Sequence, residues 1–161
     1  LKAFREYLLD RDGYLLLVGP DMSSSNKQLV GIINNLGIAQ RVRLLGQRSD
    51  IPFVMSGLDV HVLSSAYGEA FPNVVAEAMS CGTPVITTIV GDASDIIGPT
   101  GWSVPIRNSR ALASALSQAS ALMRQATSWE RLQQGSRQRI LDNYDLGSMT
   151  DHFYRTWIST C

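Results

Sequence analysis

Short apolar segments alternate with longer amphipathic segments along most of the chain. The short segments are rich in leucine and β-branched residues and end at glycine, proline or polar turns, which is typical of strands buried on both faces. They predict strands at 14–18, 41–45, 59–63, 83–87 and 101–105, the last at a sheet edge. The longer segments carry apolar residues at helical spacing. They predict helices up to residue 9 and at 25–36, 51–56, 72–80, 109–123, 127–143 and 147–159.

This strand–helix alternation predicts an α/β fold with a doubly wound, Rossmann-like parallel sheet that helices cover on both faces. We expect one domain over residues 1–161, with a group of C-terminal helices from about residue 109. Gly37 follows the helix at 25–36, where a glycine suits a left-handed cap. Ligands of such sheets bind beyond the carboxyl ends of the strands. The loops that follow the predicted strands are therefore the places to search for chemistry.

Composition narrows the class of partner. The 161 residues are 45% hydrophobic and 17% charged, and their formal net charge is zero, so nucleic acid is not an expected partner. No apolar run is long enough for a membrane span. Cys81 and Cys161 have no metal-ligand spacing, so we predict no metal site and a reducing, cytoplasmic location.

Two common nucleotide-binding motifs are absent. The loop after the first strand begins Gly19-Pro20 and contains a single glycine, so it lacks the dinucleotide fingerprint G-x-G-x-x-G. No G-x-x-x-x-G-K-[ST] sequence occurs either. These absences argue against a dinucleotide-binding enzyme and against a Walker-type phosphate loop.

The loop after the third strand carries the most informative residues. Glu69 precedes a helix whose predicted first turn holds Pro72, a residue suited to that place. The free N–H groups near Phe71, Asn73 and Val74 would favour an anion such as a diphosphate. Glu77 shares a helical face with Asn73, and its carboxylate can accept two hydrogen bonds from the vicinal diol of a ribose. Glu69 could bond the hydroxyls of the group beyond the phosphates. The alternative is that both glutamates are solvated helix charges.

The segment 69–88, which reads EAFPNVVAEAMSCGTPVITT, closely resembles the E-x7-E signature of the family-four retaining glycosyltransferases. These enzymes have the two-domain GT-B architecture. The likeness extends over most of the chain, because further segments match the family in the same order. They are 15–21, 42–52 and 56–65 before the signature, and 91–95 and 101–105 after it.

The resemblance implies a role for each matching residue. Glu77 would hold the ribose hydroxyls, and Glu69 would act on the donor sugar as the catalytic residue. The backbone at Phe71, Pro72 and Asn73 would meet the sugar and the phosphates. The stretch 46–48 would lie near the base, and its Arg48, together with Gly19, completes the predicted donor-binding set. The substrate would be a nucleotide diphosphate sugar, with no cofactor and no metal.

Some features of the family have no counterpart in this sequence. The family's arginine and lysine that neutralise the diphosphate would lie upstream of Leu1, as would the N-terminal acceptor-binding domain. We therefore expect the chain to be the donor half of a glycosyltransferase of polysaccharide biosynthesis, inactive alone. The missing domain could also bring it to the inner membrane as a peripheral protein. Asp92 and Asp95 stand where the family often has glycine and glutamate, and no role is assigned to them.

Two alternatives remain open from the sequence. The chain could be a stand-alone, non-catalytic nucleotide-sugar binding module that serves a partner chain. It could also be a different enzyme of similar architecture, such as a sugar-nucleotide epimerase. Among other residues, His61 is predicted to have a structural role, and an exposed Trp157 would mark an interface with the missing domain.

Overall fold

The computed structural model describes residues 1–159, and the side chains of all of these except Met149, His152 and Ser159. Cys161, considered above, lies outside the described residues. In this part of the chain, strands β1 to β5 lie at Leu15–Val18, Val42–Gly46, His61–Leu63, Val85–Thr88 and Gly101–Val104. Helices α1 to α8 lie at Lys2–Tyr7, Lys27–Asn35, Ile51–Ser56, Asn73–Ser80, Ala93–Ile97, Ser109–Met123, Ala126–Asn143 and Leu146–Ser159.

The strands are parallel, as predicted, but they form two hydrogen-bonded sheets. β1 pairs with β2, and β3, β4 and β5 form a second sheet in that order. The parallel α/β architecture is thus confirmed, and within it no hydrogen-bond ladder joins β1 to β3. The apolar character of a strand indicates that it is buried and does not specify its neighbour. β1 and β3 are both only half-buried, whereas every residue of β4 is buried.

β4 shows the layered packing most clearly. Val85 and Ile86 are both fully buried, although successive side chains of a strand point to opposite faces. Val85 packs in a cluster with residues of α4, α5 and α7, and Ile86 packs in a cluster with residues of α6. The second sheet is therefore covered by helices on both faces, as the strand–helix alternation predicted.

Local side chains explain where the helices begin and end. The side chain of Asn26 accepts a hydrogen bond from the Leu29 amide, at 3.0 Å, and begins α2. Asn108 caps α6 in the same way through the Ala111 amide, at 2.9 Å. Gly37 lies just beyond α2 with φ +68°, the left-handed conformation predicted for it.

Two predicted elements differ from the structure near the candidate site. The predicted helix 72–80 begins at Asn73, because Pro72 is its extended N-cap residue with ψ 96°. The short helix α5 was not predicted. It has five residues, Ala93–Ile97. The N-terminus of α4 and the turn before α5 both lie at the carboxyl end of the second sheet.

Candidate functional site

The site is built on the 64–72 loop, which leaves the carboxyl end of β3 and leads into α4. Glu69 lies in this loop, and its side chain is half-buried. The hydroxyl of Ser65 donates a hydrogen bond to Oε1 of Glu69 at 2.8 Å. The carboxylate therefore has a fixed partner within its own loop, so it is not simply a solvated charge.

The N-terminus of α4 presents backbone donors. Pro72 is buried, and its carbonyl already accepts the Val75 amide at 3.0 Å. The amides of Asn73 and Val74 precede the first intrahelical hydrogen bond, and both residues are exposed. No acidic residue occupies the first turn of α4. Backbone N–H groups and the helix dipole thus favour an anion at this end of the helix.

A cleft of about 1210 Å³ lies beside this helix. Asn73 and Glu77, both exposed, lie on the wall formed by α4. The opposite walls come from α3 and from the end of α7 with the residues after it. The other residues of the lining are Ile51, Pro52, Met55, Phe71, Ala76, Ser80, Cys81, Ile140, Asp142, Asn143, Tyr144 and Ser148.

The cleft is apolar on one side, and the charged residues of its described lining are acidic. Glu77 and Asp142 supply the acidic groups, and the lining described by the structure includes no lysine or arginine. Ile51, Pro52 and Met55 provide an apolar wall on α3. The cleft can therefore accept the hydroxyls and flat faces of a ligand, while its anion-binding capacity comes from the backbone of α4.

Phe71 connects the loop to the C-terminal helices. Its ring lies 5.7 Å from the ring of Tyr144, centroid to centroid, with the planes tilted by 53°. Tyr144 follows α7 and also packs against the main core cluster. This tilted aromatic contact stabilises the loop against the end of α7.

Of the predicted site residues, the structure brings Phe71, Asn73 and Glu77 to the cleft, whereas Pro72 is buried and does not line it. Glu69 is in the same loop but does not line the cleft. The other two predicted residues, Gly19 and Arg48, do not line this cleft.

Gly19 follows β1 directly, with φ +134°, and its amide donates to the Gly46 carbonyl at 2.9 Å. Arg48 lines a separate pocket of about 380 Å³ together with residues of β1 and α3. Its guanidinium Nε donates to Oδ1 of Asp50 at 2.7 Å. This hydrogen bond lowers the pKa of Asp50 and raises that of Arg48.

Several lining residues were not predicted from the sequence. Tyr144 is separated from Phe71 by most of the C-terminal half, and no local pattern marks it as a neighbour of the loop. For the apolar wall on α3, the sequence carried one indication. The segment 42–52 of the family resemblance ends at Pro52, a residue of that wall. Pairings between distant segments are set by tertiary packing, which apolar periodicity does not report.

Among the described residues, no three histidine, cysteine, aspartate or glutamate side chains are grouped so that they could hold a metal ion. None of the helices in this part of the chain has the length and apolar character needed to cross a bilayer.

Comparison with known proteins identifies the family. The family described as "Glycosyl transferases group 1" matches residues 1–121. N-acetyl-alpha-D-glucosaminyl L-malate synthase of Bacillus anthracis is 34% identical over 106 residues, which are 63% of this chain and 26% of that enzyme. The chain thus spans about a quarter of that relative.

Two solved structures share the fold. A glycosyltransferase from Rickettsia africae matches 97% of this chain and 42% of its own chain, with a TM-score of 0.86 and 24% identity. The Anabaena protein HepE in complex with UDP matches 98% of this chain and 44% of its own, with a TM-score of 0.81 and 24% identity. The resemblance seen in residues 69–88 is therefore confirmed: the chain belongs to the glycosyl transferases of group 1.

Proposed function

We propose that this chain is the donor-binding part of a glycosyltransferase, and that the cleft beside α4 binds a nucleotide diphosphate sugar. One observation carries the proposal: Glu77 lines the same cleft as Asn73, the residue at which the free N-terminal amides of α4 begin. The family match favours a transferase over the epimerase alternative. HepE, which shares the fold, was solved with UDP, and this supports UDP as the first ligand to test.

The geometry supports one orientation of the donor. The diphosphate binds at the amides of Asn73 and Val74, where the helix dipole favours negative charge. The ribose diol donates to the Glu77 carboxylate, one turn further along α4. The base packs on the apolar α3 wall around Pro52, and the sugar extends towards Glu69.

The proposed chemistry is the departure of a nucleoside diphosphate from the sugar. Preorganised donors stabilise the negative charge that develops on the leaving group. The lining of the cleft described by the structure has no cationic side chain, so we infer that the rest of the whole protein supplies one. The isolated chain should therefore bind a nucleoside diphosphate weakly and should not complete the transfer alone.

Helix α8 supports a proposal about the acceptor-binding domain. Its large apolar side chains are mostly exposed, at 74% for Leu146, 66% for Phe153 and 77% for Trp157. An apolar helix surface of this kind is typical of a protein–protein or domain interface. We propose that α8 packs against the acceptor-binding domain of the whole protein. A cytoplasmic location, peripheral at the inner membrane, stays a prediction.

Calorimetric titration with UDP, GDP and ADP tests the proposal. We expect weak binding of one of them, with Kd on the order of 1 mM, or about −4 kcal/mol. For the variant Glu77→Ala, Glu130→Ala is the matched control, because Glu130 is an exposed glutamate on α7 that does not line the cleft. Absence of heat from all three nucleotides at millimolar concentration would contradict a usable donor site.

A further inference from the structure

The turn between β4 and α5 contacts the backbone of the loop that carries Glu69. The amide of Asp92 donates a hydrogen bond to the Ala70 carbonyl at 2.9 Å. Gly91, just before it, has φ +48°. A Cβ atom on Gly91 would lie 2.4 Å from the Ala70 oxygen and 2.6 Å from the Glu69 oxygen. The turn and the loop are therefore in direct backbone contact at this point.

A second contact holds the same loop nearer to the sheet, where β4 ends. Thr88, buried at the end of β4, donates its hydroxyl to the Ser65 carbonyl at 2.5 Å. Ser65 in turn donates its own hydroxyl to the Glu69 carboxylate. The 64–72 loop is thus attached near its start, at Ser65, to β4, and near its end, at Ala70, to the turn that follows β4.

We propose that the Gly91–Asp92 turn is a positioning element of the donor site. It holds the backbone of Glu69 and Ala70 in place, and through them it sets the Glu69 carboxylate and the amides at the start of α4. The turn acts through the loop and does not itself contact the donor. The inference rests on the proposed function, because the donor is the ligand whose binding the turn affects.

Glycine is required at position 91 for two separate physical reasons. A positive φ is costly for residues with a side chain. In addition, a Cβ atom here would meet two backbone oxygens, which cannot give way as a flexible side chain could. A turn that merely began α5 would need only the first property. The close contact with the loop distinguishes a positioning role from a purely local one.

The first experiment compares Gly91→Ala with Gly37→Ala. Gly37 also has a positive φ, of +68°, but a Cβ there would meet no atom within 4 Å. Both variants therefore carry the backbone strain, and only Gly91→Ala displaces the loop. With UDP as the probe, we expect Gly91→Ala to weaken binding at least about tenfold, whereas Gly37→Ala leaves it unchanged. Equal affinities of the two variants would overturn the proposal.

A second pair of variants tests the hydrogen bond between the turn and the loop. Asp92 has φ −83°, close to the angle that proline requires. Asp92→Pro removes the amide hydrogen that Ala70 accepts, whereas Asp92→Ala keeps it and removes only the carboxylate. We expect UDP binding to weaken in Asp92→Pro and to stay at the wild-type value in Asp92→Ala. The opposite order would mean that the carboxylate, and not the turn, affects the site.

Amide hydrogen exchange supplies a readout that does not depend on any ligand. In the wild type, the Asp92 amide should exchange slowly, and Gly91→Ala should abolish that protection while the Ile86 amide in β4 stays protected. An unprotected Asp92 amide in the wild type would overturn the proposal. If no nucleotide binds to the wild type, the proposed function fails, and the exchange rates still decide whether the turn holds the loop.

Discussion

At the scale of single residues, Glu77 offers the sharpest test of the proposed donor site. Glu77→Ala should weaken binding of the nucleoside diphosphate by about 1.5–3 kcal/mol, because two hydrogen bonds to a charged acceptor are lost. Glu77→Gln keeps the shape and one acceptor and should lose less. The measurement is calorimetric titration with UDP, together with thermal unfolding to confirm that this exposed substitution leaves the fold intact.

The control for Glu77 uses a modified ligand. A 2′,3′-dideoxy nucleotide lacks the partner hydroxyls, so its affinity should hardly change on Glu77→Ala. The four combinations of protein and ligand form a double-mutant cycle, which isolates the contact between the carboxylate and the diol. Additive losses around the cycle would show that Glu77 does not contact the ribose.

His61 gives a prediction about pH. Its Nε2 is buried, with no hydrogen-bond partner among the described residues, and desolvation lowers its pKa from 6.5 to about 4. Below pH 6.5 the unfolded chain takes up a proton that the folded chain takes up only near pH 4. His61 should therefore lower the free energy of unfolding as the pH falls through this window, by about 3 kcal/mol in all.

Substituting His61 separates its effect from that of the carboxylates. His61→Leu replaces the titrating ring with an apolar side chain in β3. Urea denaturation at pH 7 and pH 4.5 should show a smaller loss of stability in the variant than in the wild type. An identical loss in the two proteins would assign the pH dependence to other groups.

Sequence patterns predicted part of the site at this scale. Asn73 and Glu77 lie four residues apart on one helix, so local geometry predicted their common face, and the structure has both on the cleft wall. Arg48 was predicted from the family resemblance alone, and its hydrogen bond to Asp50 and its pocket depend on side-chain directions that loop sequences do not specify.

At the scale of elements, Arg139 on α7 connects two helices. Its Nε donates to the Ile96 carbonyl at 2.8 Å and its Nη2 to the Asp95 carbonyl at 2.6 Å, near the C-terminus of α5. The last carbonyls of a helix have no intrahelical N–H partner, so these two carbonyls are free to accept hydrogen bonds from Arg139. Gly98 leaves room for the guanidinium, because a Cβ atom on Gly98 would lie only 2.5 Å from the guanidinium carbon of Arg139.

Removing this cap should destabilise the fold measurably. Arg139→Ala should lower the free energy of unfolding by about 1.5–3 kcal/mol, the range for hydrogen bonds to a charged group. Arg137→Ala is the matched control, because Arg137 is exposed on the same helix. Chemical denaturation of both variants measures the difference. Equal stabilities would show that the Arg139 contacts contribute nothing net.

Long elements were predicted more accurately than short ones. The helix predicted at 109–123 has the same bounds in the structure, because its apolar spacing repeats over several turns and Asn108 caps it. α5 was missed, since five residues give no periodicity to recognise. Its stability comes from Arg139 and from its buried residues, which are tertiary contacts.

At the scale of the whole molecule, the apolar surface of α8 should make the isolated chain self-associate. Phe153 and Trp157 lie four residues apart on one face, so Phe153→Glu with Trp157→Glu should shift the chain towards monomer without lowering its thermal stability. Sedimentation velocity at several concentrations measures this. Leu9→Glu is the control, because Leu9 is also 75% exposed but lies outside α8. A wild-type chain that stays monomeric at all concentrations would contradict the prediction.

The division into two sheets has a consequence for how the chain unfolds. Phe4, Ile33 and Val42 belong to a cluster around the first sheet, whereas the other two clusters surround the second. These parts are joined by contacts of α1 with α6, where the Ser109 hydroxyl donates to Glu6 at 3.0 Å, and of α3 with α4. For a chain built this way, all-or-none melting depends on how strongly these contacts couple the two parts. The ratio of the calorimetric to the van't Hoff enthalpy of unfolding is a direct measure of this coupling.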